Sequence, residues 1–199
     1  MMQIRDMSDY AIAIWLWNGV EELDFAGPYE VLTAWARGSE RDITVRTVAA
    51  TADPITCSHG LRVIPEVGWD DLGKVDLFLH PGGQTADLVG DEQWLERVRG
   101  MRDTGALMTS VCNGAVIYAQ AGLLAGRPAA THWSAVQRLR DLGVEVDEEA
   151  RFVDDGDIVT SAGVSAGIDM ALHLVARLDS VEAARDVRRY IQYDPAPPV

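Results

Sequence analysis

Apolar runs of strand length alternate along this chain with segments of helical periodicity. The runs YAIAIWLW (10–17), VDLFLHPGG (75–83) and ALMTSV (106–111) are too continuously apolar for strands with one face in water. Amphipathic segments lie between such runs and end at glycines, as at Gly38 and Gly143. This order predicts an α/β fold in which helices cover both faces of a mostly parallel sheet. Chemistry in such folds lies at the carboxyl ends of the strands.

Length and composition set further limits. With 199 residues, 48% of them hydrophobic, the chain is predicted to form one domain over residues 1–199. Its net charge of −14 would repel phosphate groups, so we expect no nucleic-acid partner. The sequence shows neither a bilayer-spanning apolar run nor a secretory signal, which predicts a cytoplasmic protein without a membrane partner. Two cysteines, Cys57 and Cys112, are too few for a disulfide framework.

One of these cysteines stands where a strand gives way to a helix. In LMTSVCNGAVIYAQAGLL (107–124), the strand ends near Ser110 and an alanine-rich helix follows Gly114. A tight turn there lifts the Cys112 side chain out of the sheet, and the N–H groups of the helix favour a thiolate. Such positions lower a thiol pKa to between roughly 3.5 and 7.5. The position predicts a reactive cysteine, with a buried and inert cysteine as the alternative.

Several further motifs occur in a characteristic order. They are ELDFAGPYEVL after the first strand, HPGG after a later one, SVCNGA at the corner, LLAGRPAATHW, SAGVSAGIDMALHLV and the terminal YDPAPP. From Ala11 to Pro198 the chain thereby resembles the ThiJ/PfpI superfamily, which has the class I glutamine amidotransferase-like fold. Within that superfamily it is most similar to the isonitrile hydratases. The resemblance implies a flavodoxin-like three-layer sandwich with a cysteine nucleophile elbow.

The resemblance also assigns a catalytic pair. It implies that Cys112 is the nucleophile and that Asp24, on the loop after the first strand, is its acidic partner. A carboxyl beside a thiolate in a desolvated cleft should have a raised pKa and carry a proton for the substrate. Because aspartate is also a favoured N-cap, a capping role in the helix over residues 25–37 is the alternative.

Two glycines and the residue after the cysteine complete the expected site. The resemblance implies that Gly82 and Gly83 form the second wall of the cleft. Their N–H groups could there stabilise developing charge, as an oxyanion hole does. The N–H of Asn113 is the expected companion donor. Alternatively, Pro81–Gly82–Gly83 is a tight turn without a ligand. Isonitrile hydratases carry Thr directly after the cysteine, so Asn113 departs from their pattern.

The histidines carry weaker signals. His132 in ATHW matches a histidine near the cysteine of many superfamily members, and Gly163 in SAGVSAG borders the family's cleft, so both are expected to bind substrate. A helix begins at His132, which makes capping the alternative. His173 falls in an apolar helix stripe and is expected in the core, whereas strand alternation leaves the direction of His80 open. No two histidines have helical metal-ligand spacing, so no metal is expected. The reaction that the resemblance implies needs no cofactor either.

Together these features predict an enzyme with a small-molecule substrate. The reaction implied by the resemblance is hydration of an isonitrile to an N-substituted formamide through a thioimidate on Cys112. Asp24 would supply the proton and then position the attacking water. The alternatives are a redox sensor in which Cys112 is oxidised, and glyoxalase-like or deglycase-like chemistry of the same superfamily. The resemblance further suggests a homodimer, with the tryptophan-bearing first helix at its interface.

Overall fold

A seven-stranded sheet forms the centre of the fold in a computed structural model, which describes residues 9–195. The strands, in chain order, are β1 (Tyr10–Trp15), β2 (Ile43–Ala49), β3 (Ile55–Thr56), β4 (Arg62–Val63), β5 (Val67–Gly68), β6 (Leu77–His80), β7 (Leu107–Ser110), β8 (Pro128–Ala129), β9 (Glu145–Val146), β10 (Phe152–Asp154) and β11 (Ile158–Ser161). The central sheet has the order β10-β11-β7-β6-β1-β2-β5, and every neighbouring pair is parallel except β10 with β11. Strands β3 with β4 and β8 with β9 form two small separate sheets.

Helices cover both faces of the central sheet. They are α1 (Glu22–Gly38), α2 (Ala86–Val89), α3 (Glu92–Asp103), α4 (Gly114–Gln120), α5 (Val136–Asp141), α6 (Ala166–Leu178) and α7 (Val181–Tyr190). Helices α1, α6 and α7 pack together on one face, and α2 to α5 form the layer on the other. The predicted three-layer, mostly parallel α/β fold is confirmed. None of the helices between residues 9 and 195 is both long and apolar enough to cross a bilayer.

Strand β1 shows why the central strands are continuously apolar. Ala13 and Trp15 point into the core formed with α3 and α4, where Trp15 stacks on Trp94 with ring centroids 3.9 Å apart. Ile12 and Ile14 point into the other core, which α1 and α6 close. Because both faces are buried, neither set of alternating positions tolerates a polar residue without a partner. This packing fixes the register that brings the carboxyl ends of β1, β6 and β7 to one edge.

Two glycines allow α1 and α6 to approach each other closely. A Cβ added to Gly27 would lie 2.9 Å from Cγ1 of Ile168, and one added to Gly167 would lie 3.2 Å from Cγ of Pro28. Side chains at either glycine would push the helices apart. The close contact sets the first turn of α1, which carries Asp24, against the sheet edge where β7 ends.

Candidate active site

Cys112 occupies the turn between β7 and α4. Its φ of 60° is left-handed, a conformation that costs a non-glycine residue about 1–3 kcal/mol and persists only where the surroundings enforce it. Gly114 permits the turn, because a Cβ there would lie 2.3 Å from the carbonyl oxygen of His80. The Cys112 N–H donates to the carbonyl of Ala162 at 3.2 Å, and the Cys112 carbonyl accepts from Oγ1 of Thr131 at 2.8 Å. Two other loops therefore hold this corner in place.

Asp24 reaches the same corner from α1. Its side chain is fully buried, and its Oδ2 accepts the N–H of Gly82 at 2.8 Å. A Cβ built on Gly82 would lie 2.7 Å from Oδ2 of Asp24 and 2.9 Å from Cβ of Cys112, so the two side chains flank one glycine. The N-cap position of α1 is Glu21, and Asp24 lies inside the first turn with its carboxyl directed to Gly82. The capping interpretation of Asp24 is therefore wrong.

Burial sets the protonation of this pair. It raises the pKa of Asp24 to about 7, against the opposing effect of the Gly82 N–H. The second carboxylate oxygen, Oδ1, is buried without a hydrogen-bond partner among the nitrogen and oxygen atoms of residues 9–195, and the Cys112 thiol is the side chain that interacts with the Asp24 carboxyl. Burial, and next the charge of Asp24, raises the pKa of the Cys112 thiol to about 12. Burial therefore favours the protonated form of both groups, and the charge of Asp24 further opposes ionisation of the thiol beside it.

The direction of the thiol pKa is opposite to the one expected from the corner position. The N–H groups of Asn113 and Val164 do interact with the sulfur and lower its pKa, but burial and the carboxylate outweigh them. Helix α4 has only 7 residues, which limits its dipole. The sulfur needs a base before it can act as a nucleophile.

Val164 joins the site although nothing in its sequence position predicts it. Its φ is 45°, a rare conformation for a β-branched residue. That backbone directs the Val164 N–H to the sulfur of Cys112. Left-handed residues are usually recognised in a sequence as Gly or Asn, and valine gives no such signal. The small residues of SAGVSAG mark the segment as a tight connection, without identifying Val164 as the donor.

The two glycines of the second wall donate their N–H groups within the protein. Gly82 donates to Asp24, and Gly83 donates to Oδ1 of Asn113 at 2.8 Å. Nδ2 of Asn113 donates in return to the carbonyl of Gly83 at 2.9 Å. Gly83 has a φ of 134°, and a Cβ there would lie 2.3 Å from the carbonyl oxygen of Gly19. Both glycines lie beside the Asp24–Cys112 pair, but the N–H groups expected to be open to an oxyanion are already paired.

His132 and Gly163 lie next to this corner. A Cβ on Gly163 would lie 2.2 Å from Cδ2 of His132, so the glycine lets the imidazole pack directly on the backbone. Nδ1 of His132 accepts the N–H of Ser134 at 3.3 Å and caps a short 3-10 helix, Trp133–Ala135. The capping interpretation of His132 is confirmed. Both residues line a cavity of about 280 Å³, together with Thr131, Trp133, Val136, Glu148, Arg151, Ala162 and Val164.

His80 and His173 have partners of their own. His80 is fully buried, with Nδ1 2.8 Å from the carbonyl of Pro81 and Nε2 accepting from the Trp94 indole at 3.2 Å. Burial lowers the pKa of His80 to about 4, so the ring is neutral. His173 is partly exposed and lies 2.7 Å from a carboxylate oxygen of Asp154. The expectation that His173 belongs to the core is wrong.

Glu21, Glu22 and His59 form the one group within residues 9–195 that brings three potential metal ligands within 4.8 Å. The Glu22 carboxylate already accepts the N–H of His59 at 2.9 Å and that of Leu61 at 3.4 Å. Its second oxygen lies 2.9 Å from Nδ1 of the exposed His59 ring. These contacts attach the β3–β4 hairpin to the start of α1, which is a structural reason for the cluster.

Comparison with known proteins adds to this geometry. A family model described as the DJ-1/PfpI family matches residues 10–177. The isonitrile hydratase of Pseudomonas putida is 37% identical over 188 residues, or 94% of this chain and 80% of that protein. The HTH-type transcriptional regulator CdhR of Pseudomonas aeruginosa is 31% identical over 147 residues, or 70% of this chain and 42% of the regulator.

A solved structure is also similar. The crystal structure of a ThiJ/PfpI family protein from Pseudomonas syringae has a TM-score of 0.85 to this chain and is 32% identical. The match covers 100% of this chain and 81% of that one. The resemblance found in the sequence motifs is thereby confirmed.

Proposed function

The chain belongs to the DJ-1/PfpI family, and from this premise we propose that it hydrates isonitriles to N-substituted formamides without a cofactor. Similarity to an isonitrile hydratase over most of the chain supports this reaction. The observation that carries the proposal is the fully buried Asp24 carboxyl, which interacts by a side-chain hydrogen bond with the Cys112 thiol beside it. A carboxylate in that place can move a proton between sulfur and substrate.

The first step is addition of the thiol to the isonitrile. Asp24 takes the proton from sulfur as the sulfur lone pair forms a bond to the terminal carbon of R–NC. The same proton then passes to that carbon, which gives the thioimidate R–N=CH–S–Cys112 and leaves Asp24 ionised. A raised thiol pKa suits this step, because sulfur keeps its proton until substrate is present and a base stands next to it.

Hydrolysis of the thioimidate returns the pair to its starting state. Water attacks the thioimidate carbon while Asp24 removes one of its protons and passes that proton to nitrogen. The tetrahedral adduct R–NH–CH(OH)–S–Cys112 then collapses: the C–S bond breaks with its electrons on sulfur, and the hydroxyl proton returns to the Asp24–Cys112 pair. The net reaction consumes one water and releases R–NH–CHO. The N–H groups of Asn113 and Val164 stabilise the charge that sulfur carries as it leaves.

The reaction is tested with cyclohexyl isonitrile as substrate. We expect N-cyclohexylformamide to form, and mass spectrometry of the quenched protein to detect the isonitrile mass on the peptide that contains Cys112. Cys112→Ala should abolish turnover, whereas Cys57→Ala, a matched removal of the other buried thiol, should retain it. Absence of formamide, or turnover that survives Cys112→Ala, would refute the proposal.

The pair also bears on the alternative functions. A peroxide sensor requires a substantial thiolate fraction, and the raised pKa of Cys112 argues against one at neutral pH. Glyoxalase-like or deglycase-like chemistry could use the same thiol and carboxyl on an aldehyde. Turnover of methylglyoxal in the absence of isonitrile turnover would favour that alternative.

Assembly and location stay predictions. On family grounds we propose a homodimer in the cytoplasm. The first helix can contribute Leu23, whose side chain is exposed, but not Trp35, which is 2% exposed and donates its indole N–H to Asp179 at 3.0 Å. The prediction that this helix lies at the interface therefore depends on its exposed residues and not on Trp35.

A further inference from the structure

The carboxamide of Asn113 pairs with the backbone of Gly83 in both directions. Oδ1 accepts the Gly83 N–H at 2.8 Å, and Nδ2 donates to the Gly83 carbonyl at 2.9 Å. Only a side chain with both an acceptor and an NH₂ donor on one planar group can make this pair of bonds. Aspartate lacks the donor, and threonine has a single oxygen for both tasks.

The turn held by Asn113 lies directly against the catalytic pair. A Cβ on Gly82 would lie 2.3 Å from Oδ1 of Asn113 and 2.7 Å from Oδ2 of Asp24, so this glycine is wedged between the two side chains. The opposite side of the turn is anchored to the loop after β1: Glu21 N–H donates to the Gly82 carbonyl at 2.9 Å. The position of the Gly82 N–H, and hence its bond to Asp24, depends on contacts from both sides.

We propose that Asn113 is a positioning residue, whose carboxamide holds the Pro81–Gly83 turn so that the Gly82 N–H keeps the Asp24 carboxyl beside Cys112. This role differs from the one expected for Asn113, in which its backbone N–H meets the substrate. The inference deepens the proposed function, because it explains how the base of that reaction is held. It concerns the free protein, so its test does not require isonitrile turnover.

Loss of the carboxamide should change the proton affinity of Asp24. The titratable groups that act on this carboxyl are Cys112, from the β7–α4 turn, and Glu21, from the N-cap position of α1; the turn itself contributes the backbone of Gly82. The Gly82 N–H favours the ionised form, whereas burial and Glu21 oppose it. If the turn moves away, the Gly82 bond weakens and the pKa of Asp24 rises.

The experiment measures the rate at which iodoacetamide alkylates Cys112 as a function of pH, with Cys57 followed separately by peptide mass spectrometry. The wild-type rate should rise through an inflection near pH 7, where Asp24 ionises and can accept the thiol proton. The inflection should be absent in Asp24→Asn, which would assign it to the ionisation of Asp24. In Asn113→Ala it should move upward by about one pH unit, the tenfold change in proton affinity expected for a weakened bond to a charged group.

Two further variants make the result decisive. Asn113→Thr retains one hydroxyl and should move the inflection in the same direction but less, which also decides the matter if Asn113→Ala does not fold. Asn18→Ala is the matched control, because the other asparagine of the chain is exposed and accepts a single bond, from the Thr56 N–H at 2.9 Å. An unmoved inflection in the folded Asn113 variants, or an equal shift in Asn18→Ala, would overturn the proposal. A change in the melting temperature of the Asn113 variants without a shift of the inflection would also overturn the proposal.

Discussion

Replacement of Asp24 by asparagine isolates the energetic cost of a buried carboxylate. Asparagine has nearly the same shape, and its Oδ1 can accept the Gly82 N–H that Asp24 now accepts at 2.8 Å. The substitution therefore removes the charge and retains the packing. Two results are expected: turnover falls by about 10²-fold or more, because the base is lost, and the protein becomes more stable at alkaline pH.

The size of the second effect follows from the pKa of Asp24. That pKa is raised from its ordinary value of 3.8 to about 7. The folded state therefore binds more protons than the unfolded state between these values, so stability falls as pH rises through that interval. Each tenfold change in proton affinity corresponds to about 1.4 kcal/mol. The loss of folding stability caused by the ionised Asp24 is therefore at most about 4 kcal/mol above pH 7, and about 2 kcal/mol of it develops between pH 5.5 and 7.

Urea denaturation at pH 5.5, 7 and 8.5 provides the measurement. The free energy of unfolding of Asp24→Asn, minus that of the wild type, should grow by about 2 kcal/mol from pH 5.5 to 7 and then level off. Asp76→Asn is the matched control. Hydrogen bonds from Lys74 and the Ala11 N–H lower the pKa of Asp76, so this carboxyl stays ionised from pH 5.5 to 8.5. The free energy of unfolding of Asp76→Asn, minus that of the wild type, should therefore not change with pH. A flat difference for Asp24→Asn would refute the claim that burial raises its pKa.

Two other substitutions test the walls of the site. Gly82→Ala should lower turnover about 10²-fold, because a Cβ there would lie 2.3 Å from Oδ1 of Asn113 and 2.7 Å from Oδ2 of Asp24. Gly100→Ala is the control, because a Cβ at that position of α3 would contact no other atom within 4 Å. Equal turnover by the two variants would show that a side chain at Gly82 does not disturb the site. Trp133→Ala removes an indole that is 80% exposed at the 280 Å³ cavity. It should leave stability within about 0.5 kcal/mol but lower kcat/KM for cyclohexyl isonitrile about tenfold relative to methyl isonitrile. An unchanged ratio of the two substrates would exclude this cavity as the site of the substituent.

The corner cysteine illustrates the limit of local reasoning. Its place after an apolar strand and before a run of small residues predicts the turn between β7 and α4, because strand and helix each have a local pattern. The pKa of the thiol depends instead on what else is buried around it. Asp24 arrives from 88 positions earlier in the chain, and its charge helps to reverse the expected direction. Motif resemblance paired the two residues, but only packing sets their protonation.

His80 and Asn113 show the same limit for side-chain direction. Both faces of β6 are buried, so its apolar pattern does not show which helical layer His80 faces. In the structure His80 faces the layer that contains Trp94, whose indole N–H donates to Nε2 of His80. Asn113 binds Gly83, 30 residues away, and no local pattern marks that pairing. Val164 adopts a left-handed backbone that its residue type disfavours, so tertiary contacts have overridden local preference.

Asp24 was proposed as the partner of Cys112 only through the family resemblance. By itself, the sequence determined the alternation of strands and helices and the strand-to-helix corner that carries Cys112. These are properties of short segments, and hydrophobic period and turn chemistry act over a few residues. Tertiary structure alone decided how strongly burial favours the protonated forms of Asp24 and Cys112, which glycine N–H groups are already paired and which side chain pairs with the glycine turn. Those outcomes depend on desolvation and on hydrogen bonds between segments far apart in the chain, and both exist only after the fold has closed.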